Sequence, residues 1–271
     1  MRIVHIDCGR EMGGGQWQVL RLLRGLRQRG CESILMTPPK GPLGELAAQE
    51  DFAVEKVTSR IPAADLVHVH DARSHSRAAL FARTPVVVAR RVAFPIKRGW
   101  LSRWKYRRAA HFIAVSRFVA GMLIEAGVPG DKISVVHDGV PLLPLSLRDG
   151  PIIEMAKNAS NLEKDLLHAR MLVYLSQAEG LGSGALLGMS AGVPVIASRV
   201  GGLPEAIEDG VNGILTSNLA EAVAECVRRI ESDPDEAARL GANARRTIEE
   251  RFTVERMVDD TIAVYRRILH V

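Results

Sequence analysis

A chain of 271 residues, 47% hydrophobic and 25% charged, has ordinary globular composition and the length for one large domain or two modest ones. Its apolar runs fall short of the roughly 20 residues that a membrane span needs, and three widely spaced cysteines, Cys8, Cys31 and Cys226, form neither a disulfide framework nor a metal spacing. The net charge of +5 conceals an asymmetry, with 22 Lys and Arg against 12 Asp and Glu up to Leu142 and 14 against 19 beyond it, as in two unlike lobes with different partners. Free thiols and an N-terminus that reads as a strand rather than a signal peptide make a cytoplasmic protein the expectation.

Short β-branched runs alternate with longer amphipathic ones, which predicts βα units on parallel sheets and an α/β fold. Ile3 to Ile6 read as the first strand and Gly13-Gly14-Gly15 as a turn. Val19, Leu22, Leu23 and Leu26 then form the apolar stripe of a helix that Gly30 closes. Ser33 to Met36, Leu66 to His70, Val86 to Ala89, Phe112 to Val115 and Ile133 to Val136 read as further strands. A helix over Arg117 to Ala126 opens on Ser116 as its N-cap. The least patterned stretch, Pro141 to Asn161, holds Pro141, Pro144, Gly150 and Pro151 and reads as a link. Beyond it Met171 to Leu175, Val193 to Ala197 and Gly213 to Leu215 are strands, with a helix over Ala185 to Ala191. Helices from Leu219, Pro234 and Val254 complete the chain. Three strands are few for a parallel sheet, so a piece of the second lobe reads as missing between Leu143 and Asn161. The apolar edge this would leave calls for lobe closure or self-association.

The segment Gln177 to Ile207 carries the most chemistry. A strand ends, Glu179 follows, and Gly180-Leu181-Gly182-Ser183-Gly184 opens a helix whose free N–H groups and dipole suit an anion such as a diphosphate. Glu179 can accept hydrogen bonds from sugar hydroxyls, and a second glycine turn, Gly201-Gly202, follows the next strand on the same sheet edge. A generic βα turn with a surface glutamate explains the first turn about as well. The Gly13-Gly14-Gly15 turn does not fit G-x-G-x-x-G, which disfavours a dinucleotide site. His70, in His68-Val69-His70-Asp71, is read from the residues alone as a satisfied strand-end histidine. The run Arg90 to Arg108 holds eight Lys and Arg, no acid, and Phe94, Trp100, Trp104 and Tyr106. It suits a membrane interface or a phosphate-bearing acceptor, with a solvated basic helix as the alternative and nucleic acid a weaker third.

The order strand, EG-x-G, small-residue helix, AGVPVIAS, GG-x-PE, DG-x-NG resembles the donor half of the retaining family 4, or group 1, glycosyltransferases. These have the GT-B fold, two Rossmann-like parallel-sheet lobes. The resemblance implies an acceptor-side lobe over 1–142, a link or deletion junction over 143–160, an incomplete donor lobe over 161–252, and a final helix over 253–271 returning to the first lobe. It also implies transfer from a nucleotide diphosphate sugar, with retention, to a saccharide or lipid acceptor of the cell envelope. No cofactor, metal or nucleic acid is expected. Peripheral attachment at the inner face of the plasma membrane is. Glu179 and His70 become the catalytic candidates, the latter near the transferred sugar. Gly14, Gly15, Gly180, Leu181, Gly182 and Ser183 become donor-binding, and Arg91, Lys97, Arg98, Trp100, Arg103 and Trp104 face an acceptor or membrane. Two departures stand out. The second glutamate of the Glu-x7-Glu motif is replaced by Leu187, and the arginine and lysine that neutralise the leaving diphosphate have no counterpart, Arg148 and Lys157 being the nearest cations. Their loss implies an impaired enzyme, or a relative that works as a membrane- or partner-binding module.

Overall fold

The computed structural model describes residues 1–96, 99–155 and 162–271. They form two compact units, Met1–His137 with Met257–Val271, and Asp138–Arg256.

The first unit is built on seven parallel strands: β1 (Arg2–Ile6), β2 (Glu32–Met36), β3 (Ala53–Glu55), β4 (Leu66–Val69), β5 (Val86–Arg90), β6 (His111–Ala114) and β7 (Ile133–Val135). Their spatial order is β3-β2-β1-β4-β5-β6-β7. The chain winds outward from β1, then crosses back to lay β4 on the other side of β1, with His5 opposite His68 and Ile6 opposite Val69. The helices are α1 (Gly14–Gln28), α2 (Pro42–Gln49), α3 (Ala72–Phe81), α4 (Trp100–Arg108) and α5 (Arg117–Glu125). Their starts follow sequence rules. Asp71 caps α3 by accepting from the Arg73 and Ser74 N–H groups at 2.7 and 3.0 Å, and the Ser116 hydroxyl accepts from Val119 N–H at 3.1 Å to cap α5. Gly30, at φ +71°, ends α1 in the left-handed conformation that glycine adopts without strain.

The second unit carries four parallel strands, β8 (Ile152–Met155), β9 (Met171–Tyr174), β10 (Val195–Ser198) and β11 (Ile214–Thr216), in the order β11-β10-β9-β8. Its helices are α6 (Leu162–Asp165), α7 (Ser183–Ser190), α8 (Leu203–Ala206), α9 (Ala220–Ser232), α10 (Pro234–Arg251) and the start of α11 (Val254–Leu269). Met171, Val173, Ile196, Ile214, Ile230 and Leu240 form a core between the sheet and the α9–α10 pair. The stretch expected to be a plain link holds β8, which pairs with β9 from Ile152 opposite Met171 to Met155 opposite Tyr174. The second sheet therefore has four strands where three were expected. Its β8 run, Ile-Ile-Glu-Met, directly after Gly150-Pro151, is too short to show a period.

From Met257 onward, α11 belongs to the first unit and buries Met257, Val258, Thr261, Ile262, Val264 and Tyr265. It lies close to α1 because Gly25 has no side chain, and a Cβ there would run into Cγ2 of Val258. Arg29 forms an ion pair with Asp259 at the same contact. Gly25→Ala should destabilise the protein by about 1–3 kcal/mol through overpacking. In chemical denaturation, Val258→Ala in the same chain should recover part of that loss, whereas simple additivity would show that the two side chains do not compete for one space.

Candidate functional site

In the first unit the switch of winding falls between β1 and β4, and the carboxyl ends of these strands are where ligands of open α/β sheets bind. Register and the two-residue strand period put His5, His68 and His70 on one face. All three are buried, with the His5 and His70 rings stacked at 5.3 Å between centroids and the His68 ring tilted 45° to that of His70 at 4.2 Å. Tyr265 of α11 closes the group, its hydroxyl 2.5 Å from His68 Nδ1.

Arg91, half-buried just after β5, fixes the proton pattern. Its guanidinium can only donate, so His70 Nδ1, 3.2 Å from Nη1, is the acceptor and His70 Nε2 carries the proton. Nε2 then donates to His5 Nδ1 at 3.0 Å, which leaves His5 Nε2 as an N–H with no partner among the described residues. Burial, reinforced by Arg91, pushes His5 down to about 3. Burial also holds His68 and His70 well below the usual histidine range, with neighbouring histidines and Arg91 adding to it, so the group is neutral. The ring nitrogens of the three lie within 4.8 Å of one another, close enough to hold a metal ion. The spacing is that of a three-histidine site, but the Arg91 hydrogen bond keeps His70 Nε2 protonated and a cation beside the group, which opposes a metal there. Both nitrogens of His70 therefore have protein partners, and its approach to a sugar requires one of them to be exchanged. His5 was missed in the sequence because nothing local marks it. Only the β1–β4 register reveals it.

Next to the histidines, Asp7 holds the turn into α1. Its Oδ1 accepts from Gly9 N–H at 2.8 Å and its carboxylate from the Gln16 amide at 3.2 Å. Burial raises the Asp7 carboxyl, and nearby Asp71 adds to the shift. Gly13 N–H donates to Gln16 Oε1 at 3.2 Å. Gly14 is exposed and Gly15 faces open space, so the first turn of α1 is reachable along its backbone.

In the second unit the Glu179 turn sits at the carboxyl ends of β9 and β10. Ser176 N–H donates to Ser198 Oγ at 2.8 Å, and the Asn218 amide donates to Ser176 O at 2.8 Å, so these ends are tied together. Glu179 is half-buried. Tyr174 hydroxyl donates to its Oε2 at 2.9 Å and Gly180 N–H to its Oε1 at 3.2 Å, leaving each oxygen a second lone pair. Burial raises the Glu179 carboxyl and Asp138 adds to it, while the two hydrogen bonds oppose the shift. The two glycine turns touch backbone to backbone. Gly202 N–H donates to Glu179 O at 3.0 Å, and Gly201, at φ +58°, is where a Cβ would collide with that same carbonyl. Gly182, at φ +94°, starts α7 without a side-chain cap, and Ser183 is its first residue. Leu181 is 2% exposed, so only its main chain is available to a ligand. Leu187 is buried within α7.

Arg148 does not serve a ligand. It donates to Leu166 O and Leu167 O at 3.1 and 3.2 Å and to Ala191 O, so it caps the carboxyl ends of α6 and α7. Of the expected acceptor or membrane set, Arg91 joins the histidine group, whereas Trp100, Arg103 and Trp104 lie exposed on α4. Lys97 and Arg98 lie outside the described residues, as does Lys157.

Two measurements follow. Five histidines have lowered values, His75 to about 3 and His111 to about 4 besides the three above. A lowered histidine stabilises the fold fully above the unfolded value near 6.5 and loses that contribution as pH falls towards the folded one. At pH 5.5, unfolding should take up about four protons, seen as a denaturation free energy that falls steeply below about pH 6.5, and His5→Asn should remove about one of them. Separately, Gly201→Ala should lower the melting temperature and distort the Glu179 turn, read as lost tryptic resistance at Arg199.

Comparison with known proteins gives these sites a family. The Glycosyltransferase Family 4 model matches residues 12–142 and the Glycosyl transferases group 1 model residues 147–247. Alpha-maltose-1-phosphate synthase of Mycolicibacterium smegmatis is 35% identical over 107 residues, 37% of this chain and 28% of that protein. N-acetyl-alpha-D-glucosaminyl L-malate synthase of Bacillus anthracis is 29% identical over 142 residues, 46% of this chain and 37% of that one. The match thus spans between about a quarter and little more than a third of these relatives' own length. Among solved structures, HepE of Anabaena in complex with UDP and glucose superposes with a TM-score of 0.83 at 16% identity, covering 98% of this chain and 100% of that one. A glycosyltransferase from Rickettsia africae superposes at 0.79 with 17% identity, covering 99% and 98%. At such identities the likeness is one of fold, and it is the GT-B fold of two parallel-sheet units. With one family model on each unit and that fold beneath both, the chain belongs to the GT-B glycosyltransferases.

Proposed function

We propose that the chain transfers a sugar from a nucleotide diphosphate sugar to a saccharide or lipid acceptor of the cell envelope, with retention. The observation that carries this reading is the Glu179 turn: a half-buried carboxylate with spare lone pairs beside the uncapped start of α7, on the edge where the β9 and β10 turns meet. Glu179 would accept the hydroxyls of the transferred sugar, and the main chain of Gly180, Leu181, Gly182 and Ser183 would receive phosphate oxygens. Gly14 and Gly15 are read as donor-phosphate residues of the first unit. His70 is read as a contact of the transferred sugar, its Nδ1 accepting a hydroxyl in place of Arg91. The bond from the anomeric carbon to the diphosphate breaks and a bond to the acceptor oxygen forms on the same face. The leaving phosphate takes the acceptor's proton, so no protein nucleophile is involved. HepE was solved with UDP, with UDP and glucose, and with UDP-glucose, which supports a uridine nucleotide sugar as the first donor to test. Transfer is read as metal-independent. Free Cys8, Cys31 and Cys226 fit a reducing, cytoplasmic setting. No helix of the described residues is long and apolar enough to cross a membrane.

A second reading is favoured by specific observations. Arg148 is engaged by main-chain carbonyls and Leu187 is buried, so the second unit would be a shortened donor lobe with weak or no turnover, and the first unit a membrane- or partner-binding module. One experiment separates the two. Purified protein is incubated with UDP-, GDP- and ADP-sugars and an acceptor mixture, and released nucleoside diphosphate is followed. Turnover of one donor that falls about a hundredfold in Glu179→Ala supports the enzyme. Turnover indifferent to that substitution refutes the site. No turnover and no calorimetric binding of any donor favours the module.

A further inference from the structure

A glutamate side chain is long and rotatable, so it selects among the hydroxyls of a sugar only where something holds its carboxylate still. In β9 the strand period sends Met171 and Val173 into the core under α9 and α10 and puts Leu172 and Tyr174 on the opposite face. That face is the one α7 covers, since Leu172 meets Gly188 there. Tyr174 is the last residue of β9 and stands in register with Ala197 of β10, a small neighbour at the carboxyl edge of the sheet. From this place its hydroxyl reaches the turn above and donates to Glu179 Oε2 at 2.9 Å. The donor on the other oxygen, Gly180 N–H at 3.2 Å from Oε1, belongs to the turn itself and moves with it. The Glu179 stem lies beside Gly182, where a Cβ would stand 3.4 Å from its Cγ. Among the described residues Tyr174 is the one side chain that hydrogen-bonds this carboxylate, and it is fixed in the sheet.

We propose that Tyr174 is a positioning residue of the donor site: its hydroxyl holds the Glu179 carboxylate in the orientation that keeps a lone pair of each oxygen for the transferred sugar. This role rests on Glu179 being a sugar contact, as proposed above. The electrostatics of the turn agree with the geometry. Burial raises the Glu179 carboxyl and the Asp138 charge adds to it, while Tyr174 and Gly180 N–H pull it back down. A donor to the charged form favours that form, so the tyrosine keeps Glu179 a carboxylate to lower pH than burial and Asp138 would allow. Burial and the charge of Glu179 in turn hold the Tyr174 hydroxyl protonated well above the usual phenol range, so it remains a donor at any working pH.

The test is calorimetric titration of the full chain with UDP-glucose and with UDP, in the unaltered protein, Tyr174→Phe, Glu179→Ala and the double variant. Glu179 is read as touching the sugar and the start of α7 as touching the phosphates. Tyr174→Phe, which removes one hydroxyl and keeps the ring, should therefore weaken UDP-glucose about tenfold and leave UDP unchanged. Added to Glu179→Ala it should cost little more, because the two residues act as one unit. A general loosening of the turn would instead weaken both nucleotides and would persist without Glu179. Thermal melts check that each variant folds. A second readout needs no donor: by NMR of the side-chain carboxyl carbons, the Glu179 midpoint should rise by about one pH unit in Tyr174→Phe. Equal weakening of UDP and UDP-glucose, full additivity with Glu179→Ala, or an unmoved midpoint would overturn the proposal. UDP-glucose binding that Glu179→Ala weakens and Tyr174→Phe does not would overturn this role alone, whereas binding indifferent to Glu179→Ala would refute the donor role of Glu179 itself.

Discussion

The direct pairing of β1 with β4 is the constraint from which the first unit's chemistry follows. Once the chain crosses back over β1, the register that places His5 opposite His68 also places Ile6 opposite Val69. Their carboxyl-end extensions, Asp7 and His70, then emerge side by side. A one-residue slip would turn His68 and His70 to the opposite face from His5 and from Tyr265. The proton pattern of the group is equally determined from one end, since Arg91 cannot accept and the donor direction must run from Arg91 through His70 to His5. Three neutral imidazoles in a core would be costly as separate polar groups. Linked in this chain and to Tyr265, they leave only His5 Nε2 and His68 Nε2 without partners among the described residues.

The second unit depends on a different contact, glycine against main chain. Gly201 lies against the Glu179 carbonyl and Gly202 donates to it, so the turn after β10 is what shapes the turn after β9. The carboxylate is thereby presented from a rigid edge rather than a free loop. At the other end of α7 the carbonyls of Ser190 and Ala191 accept from Arg245 and Arg148. Cations at a helix carboxyl end complement its dipole, and here they hold α7 against α10 and the segment before β8. Arg148, one of the two cations that the sequence reading sets nearest the diphosphate motif, is thus structural.

What was legible in the sequence divides along the range of the interactions involved. Strands such as Ile3 to Ile6 and Val86 to Ala89, and the Ser116 cap, are set by neighbours a few residues away, and the structure has them where periodicity and capping rules put them. β3 and β8, three and four residues long, carry no period of their own and exist because a preformed strand offers them an edge. The glycine turns were visible as motifs, but their mutual contact spans more than twenty residues and was not. His70 was legible as a strand-end histidine. Its partners His5, Arg91 and Tyr265 come from β1, the end of β5 and α11, and no local pattern joins them.

Leu187 shows how packing and chemistry can be weighed at a single position. Every residue of α7 from Gly184 to Ser190 is buried, and Gly188 is so close to the sheet that a Cβ would stand 2.6 Å from Leu172 Cδ2. A helix apolar on all sides is a core element, held between the sheet and α10. A carboxylate at 187 would have to be compensated by a ligand or it would carry a desolvation cost of several kcal/mol. Leucine removes that cost and with it the polar contact. The departure from the family pattern therefore stabilises the second unit independently of any ligand, and it leaves Glu179, reachable and anchored by Tyr174, as the acidic group of that turn on which donor recognition can be built.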